Sequence, residues 1–217
     1  MNNSELITKT ITFVKEKLND AEGGHDWFHI ERVYKNALLI ANDTNCDLTV
    51  VQLGALLHDI ADSKFHNGDE TIGPKTARLF LESENVSEEI IQHVVNIIEN
   101  ISYKGGNFEK KFSSIELDVV QDADRLDAIG AIGVARAFNY GGFKNRALHN
   151  PEIAPVTNMT KEEYKKNSAP TINHFYEKLL LLKDKMNTEK GKQIAAERHR
   201  FMETFLAQFY AEWEGVK

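Results

Sequence analysis

Cysteine is almost absent: Cys46 is the single one in 217 residues. That excludes an internal disulfide and a thiolate-rich zinc site. Proline is scarce as well, with four in the chain and none in a Pro- or Ser-rich linker. No run reaches the roughly 18 apolar residues of a membrane span. The opening stretch Met1-Asn2-Asn3-Ser4-Glu5-Leu6 lacks a basic segment followed by an apolar one, so the expected compartment is the cytoplasm. Positive charge is not in excess: 26 Lys and Arg face 33 Asp and Glu, a net charge of -7. That balance argues against extended nucleic acid as a partner, while leaving room for a local basic pocket. Alternating β-branched runs are missing too, since Val119-Val120 is too short to form a strand.

What is present is helical periodicity along nearly the whole chain, and the expected fold class is all-α. Residues 4–20 place Leu6, Ile7, Ile11, Val14 and Leu18 at near-helical spacing. Asp26 is a fitting N-cap for a second helix, which puts His29 in its first turn. That helix continues through Val33, Ala37, Leu38 and Ala41 to about Asp43. A third, from Leu48 to about Asp62, is apolar on most sides, as a buried central helix should be. A polar loop follows over 63–72. Pro74 suits a first helical turn, and Ser87-Glu88-Glu89 opens a helix striped by Ile90, Val94, Ile97, Ile98 and Ile101. Residues 114–127 and 127–140 are helical and stop at Gly141-Gly142. The stretch 143–160, with Pro151 and Pro155, is aperiodic and long enough for a lid or binding loop. Two amphipathic helices, about 161–186 and 188–213, close the chain, with Phe201, Phe205 and Phe209 expected in the core. The length fits a single domain over 1–217.

The chemistry is concentrated in the pair His58-Asp59, inside the apolar run Leu53 to Asp62. An imidazole and a carboxylate in such a setting are costly unless something neutralises them. A divalent ion does so, because it takes imidazole nitrogen and carboxylate oxygen together. His29, 29 residues upstream, and Asp124, in Asp122-Ala123-Asp124-Arg125-Leu126-Asp127, supply two more ligands of the right types. Adjacent helical residues point about a quarter-turn apart, so His58 and Asp59 must converge on an ion lying beside their helix. His29 then arrives from a second helix and Asp124 from a third. Two His and two Asp leave positions for water and substrate, which suits a catalytic ion rather than a closed structural zinc.

The order His29…His58-Asp59…Asp124 resembles the signature of the HD-domain superfamily of metal-dependent phosphohydrolases. Three local stretches carry the resemblance: His25 to Val33, Ala55 to Asp62 and Asp122 to Gly130. It covers about residues 20–145, and the closing helices look like those of small bacterial members, giving an HD-domain bundle with two additional C-terminal helices. The resemblance implies His29, His58, Asp59 and Asp124 as metal ligands. Some members hold a second ion through further histidines between the HD pair and the last Asp. Here only His66 and His93 lie in that interval. One divalent ion is therefore expected, among Mn, Mg, Co, Fe, Ni and Zn.

A metal-activated water would attack phosphorus, with cations holding the phosphates. Lys64, Arg32, Lys104, Arg125 and Arg146 are candidates for that second task. His25, four residues before His29, is either a phosphate contact or a cap. Asp62 lies about one turn beyond Asp59 and can orient or deprotonate the water. Asp127 stands in the same relation to Asp124, and either shares that task or fixes a histidine or arginine. The implied substrate is a small phosphorylated molecule, most naturally a nucleotide. Cyclic-nucleotide phosphodiester cleavage and non-catalytic nucleotide or metal sensing are the alternatives. The last helices can pack on the core or pair two copies as a homodimer.

Overall fold

The computed structural model describes residues 2–19, 26–61, 69, 71–101, 112–157, 159–160, 163 and 167–217. Among them no strand occurs, and nine α-helices carry the fold. The chain divides into two compact units, Met1–Asp124 and Arg125–Lys217.

The first unit holds α1 (Asn3–Lys17), α2 (Trp27–Ala41), α3 (Leu48–Leu57), α4 (Ile72–Ser83), α5 (Glu88–Asn100) and most of α6 (Ile115–Asp127). Within it α3 is central, packing against α1, α2 and α5. The composition of α3 explains its place, since Val51, Leu53, Ala55, Leu56 and Leu57 are all fully buried. Its start is fixed by Asp47, whose carboxylate accepts the amide N–H groups of Thr49 and Val50. Asp26 caps α2 in the same way, accepting the His29 N–H at 3.0 Å, and His29 falls in the first turn as the sequence predicts. Ser87 is the N-cap of α5, above an acidic first turn. At the head of α6 the Ser114 hydroxyl accepts the Leu117 N–H.

One sequence expectation changes here. The third helix ends at Leu57 instead of reaching Asp62. At the stop the His58 ring Nδ1 lies 2.9 Å from the Ala55 carbonyl. Asp122 sits in the third turn of α6 and is fully buried.

The second unit takes the last residues of α6, then α7 (Gly130–Phe143), α8 (Asn173–Glu177), a 3-10 turn over Leu179–Lys185, and the long α9 (Glu189–Trp213). Here α9 packs on α7 and on the 3-10 turn. The expected helix over 161–186 is therefore not continuous. Pro170 lacks an N–H and disfavours helical backbone before it. The next two residues bond elsewhere, Thr171 N–H to the Ala147 carbonyl and Ile172 N–H to that of Leu148. The following helix is as expected, capped by Thr188, whose hydroxyl accepts the Gly191 N–H. Its apolar face joins Phe205 and Phe209 to Phe138 and Phe175 in one aromatic cluster. Phe201 is the exception to the expected core, with 48% of its surface exposed.

The expected stop at Gly141-Gly142 shifts as well: α7 runs on to Phe143, and Asn145 takes the left-handed conformation at φ 52°. Arg146 N–H then bonds back to the Gly141 carbonyl at 2.8 Å, closing the end in the manner of a Schellman motif. Glycine at 141 serves packing instead, because a Cβ there would come within 2.1 Å of the Thr171 hydroxyl.

Gly130, between α6 and α7, has φ +75°, and a Cβ on it would meet Arg198 Cγ at 2.9 Å. Strain and overlap act together at this position. Gly130→Ala should lower the unfolding free energy by about 1–3 kcal/mol, read as a reduced urea midpoint with an unchanged denaturant slope.

Burial, reinforced by Lys178 and Arg146, pushes the His174 imidazole down to about 3. The unfolded chain, with an ordinary histidine near 6.5, binds this proton first as pH falls. The stabilisation is thus complete above about pH 6.5 and is lost progressively toward pH 3. Between pH 7 and pH 5 the loss amounts to about 2 kcal/mol. Urea midpoints of His174→Gln should fall less over that interval than those of the wild type, and equal slopes would contradict the assignment.

Candidate metal centre

Three helices bring four chemically suited side chains to one place in the first unit. His29 comes from the capped first turn of α2, His58 and Asp59 from the end of α3, and Asp124 from the last turn of α6. His29, His58 and Asp59 each offer a ligand atom, and the three atoms lie within 4.8 Å of one another. Asp124 Oδ1 is 3.5 Å from His29 Nε2 and 3.9 Å from His58 Nε2. The two imidazoles meet edge to face, with ring centres 5.4 Å apart.

These spacings suit a divalent ion. With N and O ligands at about 2.0–2.2 Å, an ion holds neighbouring ligand atoms about 3 Å apart and opposed ones a little over about 4 Å apart. The Ala55 carbonyl can only accept, so the His58 Nδ1 facing it bears a proton and Nε2 is the atom turned toward the cluster. His58 Nε2 is buried and has no hydrogen-bond partner among the described residues, a costly state for a polar atom unless a ligand takes it. The end of α3 adds its own field, because helix C-termini favour cations. Asp124 keeps 39% of its side chain exposed, so the cluster faces outward on that side.

The other predicted residues fall into two groups. His25, Asp62, Lys64 and Lys104 lie outside the described residues. Arg32 is half-buried on α2, three residues beyond His29. Arg125 donates to the Lys185 carbonyl. Arg146 donates to the Asn167 carbonyl and lies over the Tyr140 ring. Asp127 is buried and holds the Arg136 guanidinium, in line with the second of its two expected parts. His93 is tied to Ser114 at 2.9 Å and approaches Glu116 at 3.3 Å. Cys46 is half-buried just before α3, its thiol pushed up by burial and by the nearby carboxylates of Glu116 and Asp47.

Two residues gained no role from the sequence and have one in the structure. Arg198, on α9, donates to the Leu126 carbonyl at the end of α6; burial pulls its guanidinium below the ordinary value, and Asp127 opposes that. Asn36, on α2, donates to the Ala123 carbonyl at 3.3 Å. A polar residue in the apolar stripe of α2 was the available signal for Asn36; for Arg198 the sequence offered none.

Comparison with known proteins gives the family and the fold. The HD domain family model matches residues 27–129. The chain is 37% identical over 213 residues to the uncharacterized protein YpgQ of Bacillus subtilis, covering 94% of this chain and 92% of that one. An HD-superfamily hydrolase from Bacillus thuringiensis of known structure is 45% identical, with a TM-score of 0.80 over 99% of this chain and 100% of that chain. The structure of Bacillus subtilis YpgQ in complex with ADP superposes with a TM-score of 0.77 at 33% identity, covering 100% and 99% of the two chains. The chain belongs to the HD-domain family and has the fold of an HD-superfamily hydrolase. HD domains are metal-dependent, and the His-His-Asp cluster has the donors and the spacing to hold an ion. No helix among the described residues is long and apolar enough to cross a membrane.

A ligand that binds only the folded chain raises its stability by mass action, about 2.7 kcal/mol at a hundredfold excess over Kd. For a chain of this size that is a rise in Tm of about 5–10 °C. Manganese or cobalt added to chelator-treated protein should give such a rise, and His58→Ala should abolish it without unfolding the metal-free protein.

Proposed function

We propose that the chain is a metal-dependent phosphohydrolase that acts on nucleotides, with His29, His58, Asp59 and Asp124 holding one divalent ion. The observation that carries the reading is the buried Nε2 of His58, which faces Asp124 and has no hydrogen-bond partner among the described residues, while Nδ1 is held by Ala55. A purely structural polar cluster would be expected to pair that nitrogen within the protein. The ADP complex of Bacillus subtilis YpgQ supports a nucleotide as the ligand.

When bound, a divalent ion supplies a nucleophilic water near neutral pH and offsets the charge that grows on the phosphoryl group. The protein's part is to aim and shield. Asp26 sets the turn that carries His29, and Ala55 orients His58. Among the cations Arg32 is the favoured phosphate contact, since it is on the helix of His29 and one turn beyond it. Arg125 and Arg146 already serve main-chain carbonyls, which favours a structural part for both. Lys64 and Lys104 remain proposed from the sequence, and so does His25. Asp62 is likewise proposed, as proton acceptor, from the sequence alone. Asp127, buried against Arg136, is better suited to positioning than to proton movement.

A nucleotide sensor would also bind ADP-like ligands, so turnover decides between the two. Stripped protein given Mn, Mg, Co, Ni, Fe or Zn should release phosphate or pyrophosphate from members of a nucleoside mono- and triphosphate panel. Asp59→Ala should cut kcat/KM by about a hundredfold or more. The product separates phosphomonoesterase from pyrophosphohydrolase activity. Tight nucleotide binding by folded, metal-loaded protein without release from any substrate, cyclic nucleotides included, would favour the sensor and sink the hydrolase.

A further inference from the structure

We propose that Asn36 is a positioning residue of the metal centre: its side-chain amide, on α2, bonds the Ala123 carbonyl of α6 and thereby sets the separation of His29 from Asp124. The proposal rests on the reading of those two residues as ligands.

Apart from His29, the inward stripe of α2 around Asn36 is apolar, with Ile30, Val33, Ala37 and Ile40 fully buried. Asn36 is buried among these positions, where a polar side chain is costly unless it is hydrogen-bonded. Its Nδ2 lies 3.3 Å from the Ala123 oxygen. Neither helix needs this bond for itself. Ala123 is in the interior of α6, where its carbonyl accepts the N–H four residues on, so the amide adds a second bond to a carbonyl already satisfied. What the bond does is join two particular points.

Those points are the informative ones. Asn36 follows His29 by seven residues, two turns along the same face of α2. Ala123 immediately precedes Asp124. One directional contact thus links the helix of one proposed ligand to the residue beside another, and Asp124 Oδ1 comes to 3.5 Å from His29 Nε2. Apolar side chains hold helices together but tolerate small slides along the interface, whereas an amide-to-carbonyl bond tolerates little. A ligand sphere needs its atoms placed to within a few tenths of an ångström.

Gln121 supplies the matched control. Its Nε2 bonds the Asn100 carbonyl at 3.0 Å and that of Ile101 at 3.3 Å. It ties the same helix α6 to the end of α5, which carries none of the four proposed ligands.

The test is cobalt(II) titration of metal-free protein, followed by the visible absorption of the bound ion, on wild type, Asn36→Leu, Asn36→Ser and Gln121→Met. Urea unfolding of each metal-free protein is measured alongside. Asn36→Leu keeps the side-chain shape and removes the amide; the smaller serine guards against a leucine that prevents folding. Both Asn36 variants should weaken cobalt binding by about ten- to a hundredfold and shift the absorption bands. Gln121→Met should lose stability while keeping the wild-type Kd and spectrum. Wild-type Kd and spectrum in a folded Asn36 variant overturn the proposal, whatever its stability. So does an equal loss in Gln121→Met, which would show general loosening of α6, and so does failure of both Asn36 variants to fold, which would make Asn36 a folding residue. If the wild type itself binds no cobalt, the ligand assignment fails first and the proposal with it. A folded Asn36 variant that binds as well as a wild type that binds tightly overturns the positioning role alone, so the two failures are distinct.

Discussion

The contact on which the centre depends is the bond from His58 Nδ1 to the Ala55 carbonyl. It marks the end of α3 at Leu57, so that His58 and Asp59 sit at a helix terminus. It places a proton on Nδ1 and leaves the buried Nε2 toward the other candidate ligands, without a hydrogen-bond partner among the described residues. His58 itself keeps helical dihedrals, and with His29 and Asp59 it offers ligand atoms within 4.8 Å of one another.

A terminus needs its carbonyls satisfied, and the structure meets this in different ways at different helices. At the end of α3 a side chain of the cluster itself does so. At the end of α6 the partners are arginines: Arg198 bonds the Leu126 carbonyl, and Arg136 bonds both the carboxylate and the carbonyl of Asp127. A cation suits a helix C-terminus, and the buried Asp127 balances the guanidiniums there. The left-handed Gly130 follows at once, its missing Cβ leaving room for Arg198. The junction of α6 and α7 therefore combines charge pairing, a left-handed glycine and the fully buried Ile129.

The parts of the centre were legible in the sequence because metal chemistry restricts residue types severely. Paired His58-Asp59 in an apolar run, with His29 and Asp124 at a distance, fits little besides a shared ion, and the Asp26 cap that places His29 was readable from the same stretch. The helical class was readable for the opposite reason, as a repeated signal with no competing strand. What escaped was tertiary. The break in the expected helix over 161–186 depends on Pro170 and on amides of Thr171 and Ile172 that find partners at Ala147 and Leu148. The early end of α3 comes with a rotamer of His58, and no pattern of residue types encodes a rotamer. Phe201 matched the apolar spacing of its neighbours and still faces outward, because spacing gives a face and not the width of the stripe that is covered.

Buried polarity separates the residues that serve the centre from those that only surround it. His58 and Asn36 are both polar in apolar settings, and each directs a hydrogen to a main-chain carbonyl. A carbonyl is a fixed point in a helix, so such a bond converts the rigidity of the backbone into the placement of a side chain or of a whole helix. Arg125 and Arg146 also bond carbonyls, but their guanidiniums have several donors and could take a phosphate as well only by sharing them. Arg32 is carried by the helix of His29 itself, so its place relative to that ligand is set by one element. The proposed divalent ion is therefore supported first by the buried Nε2 of His58, which has no hydrogen-bond partner among the described residues.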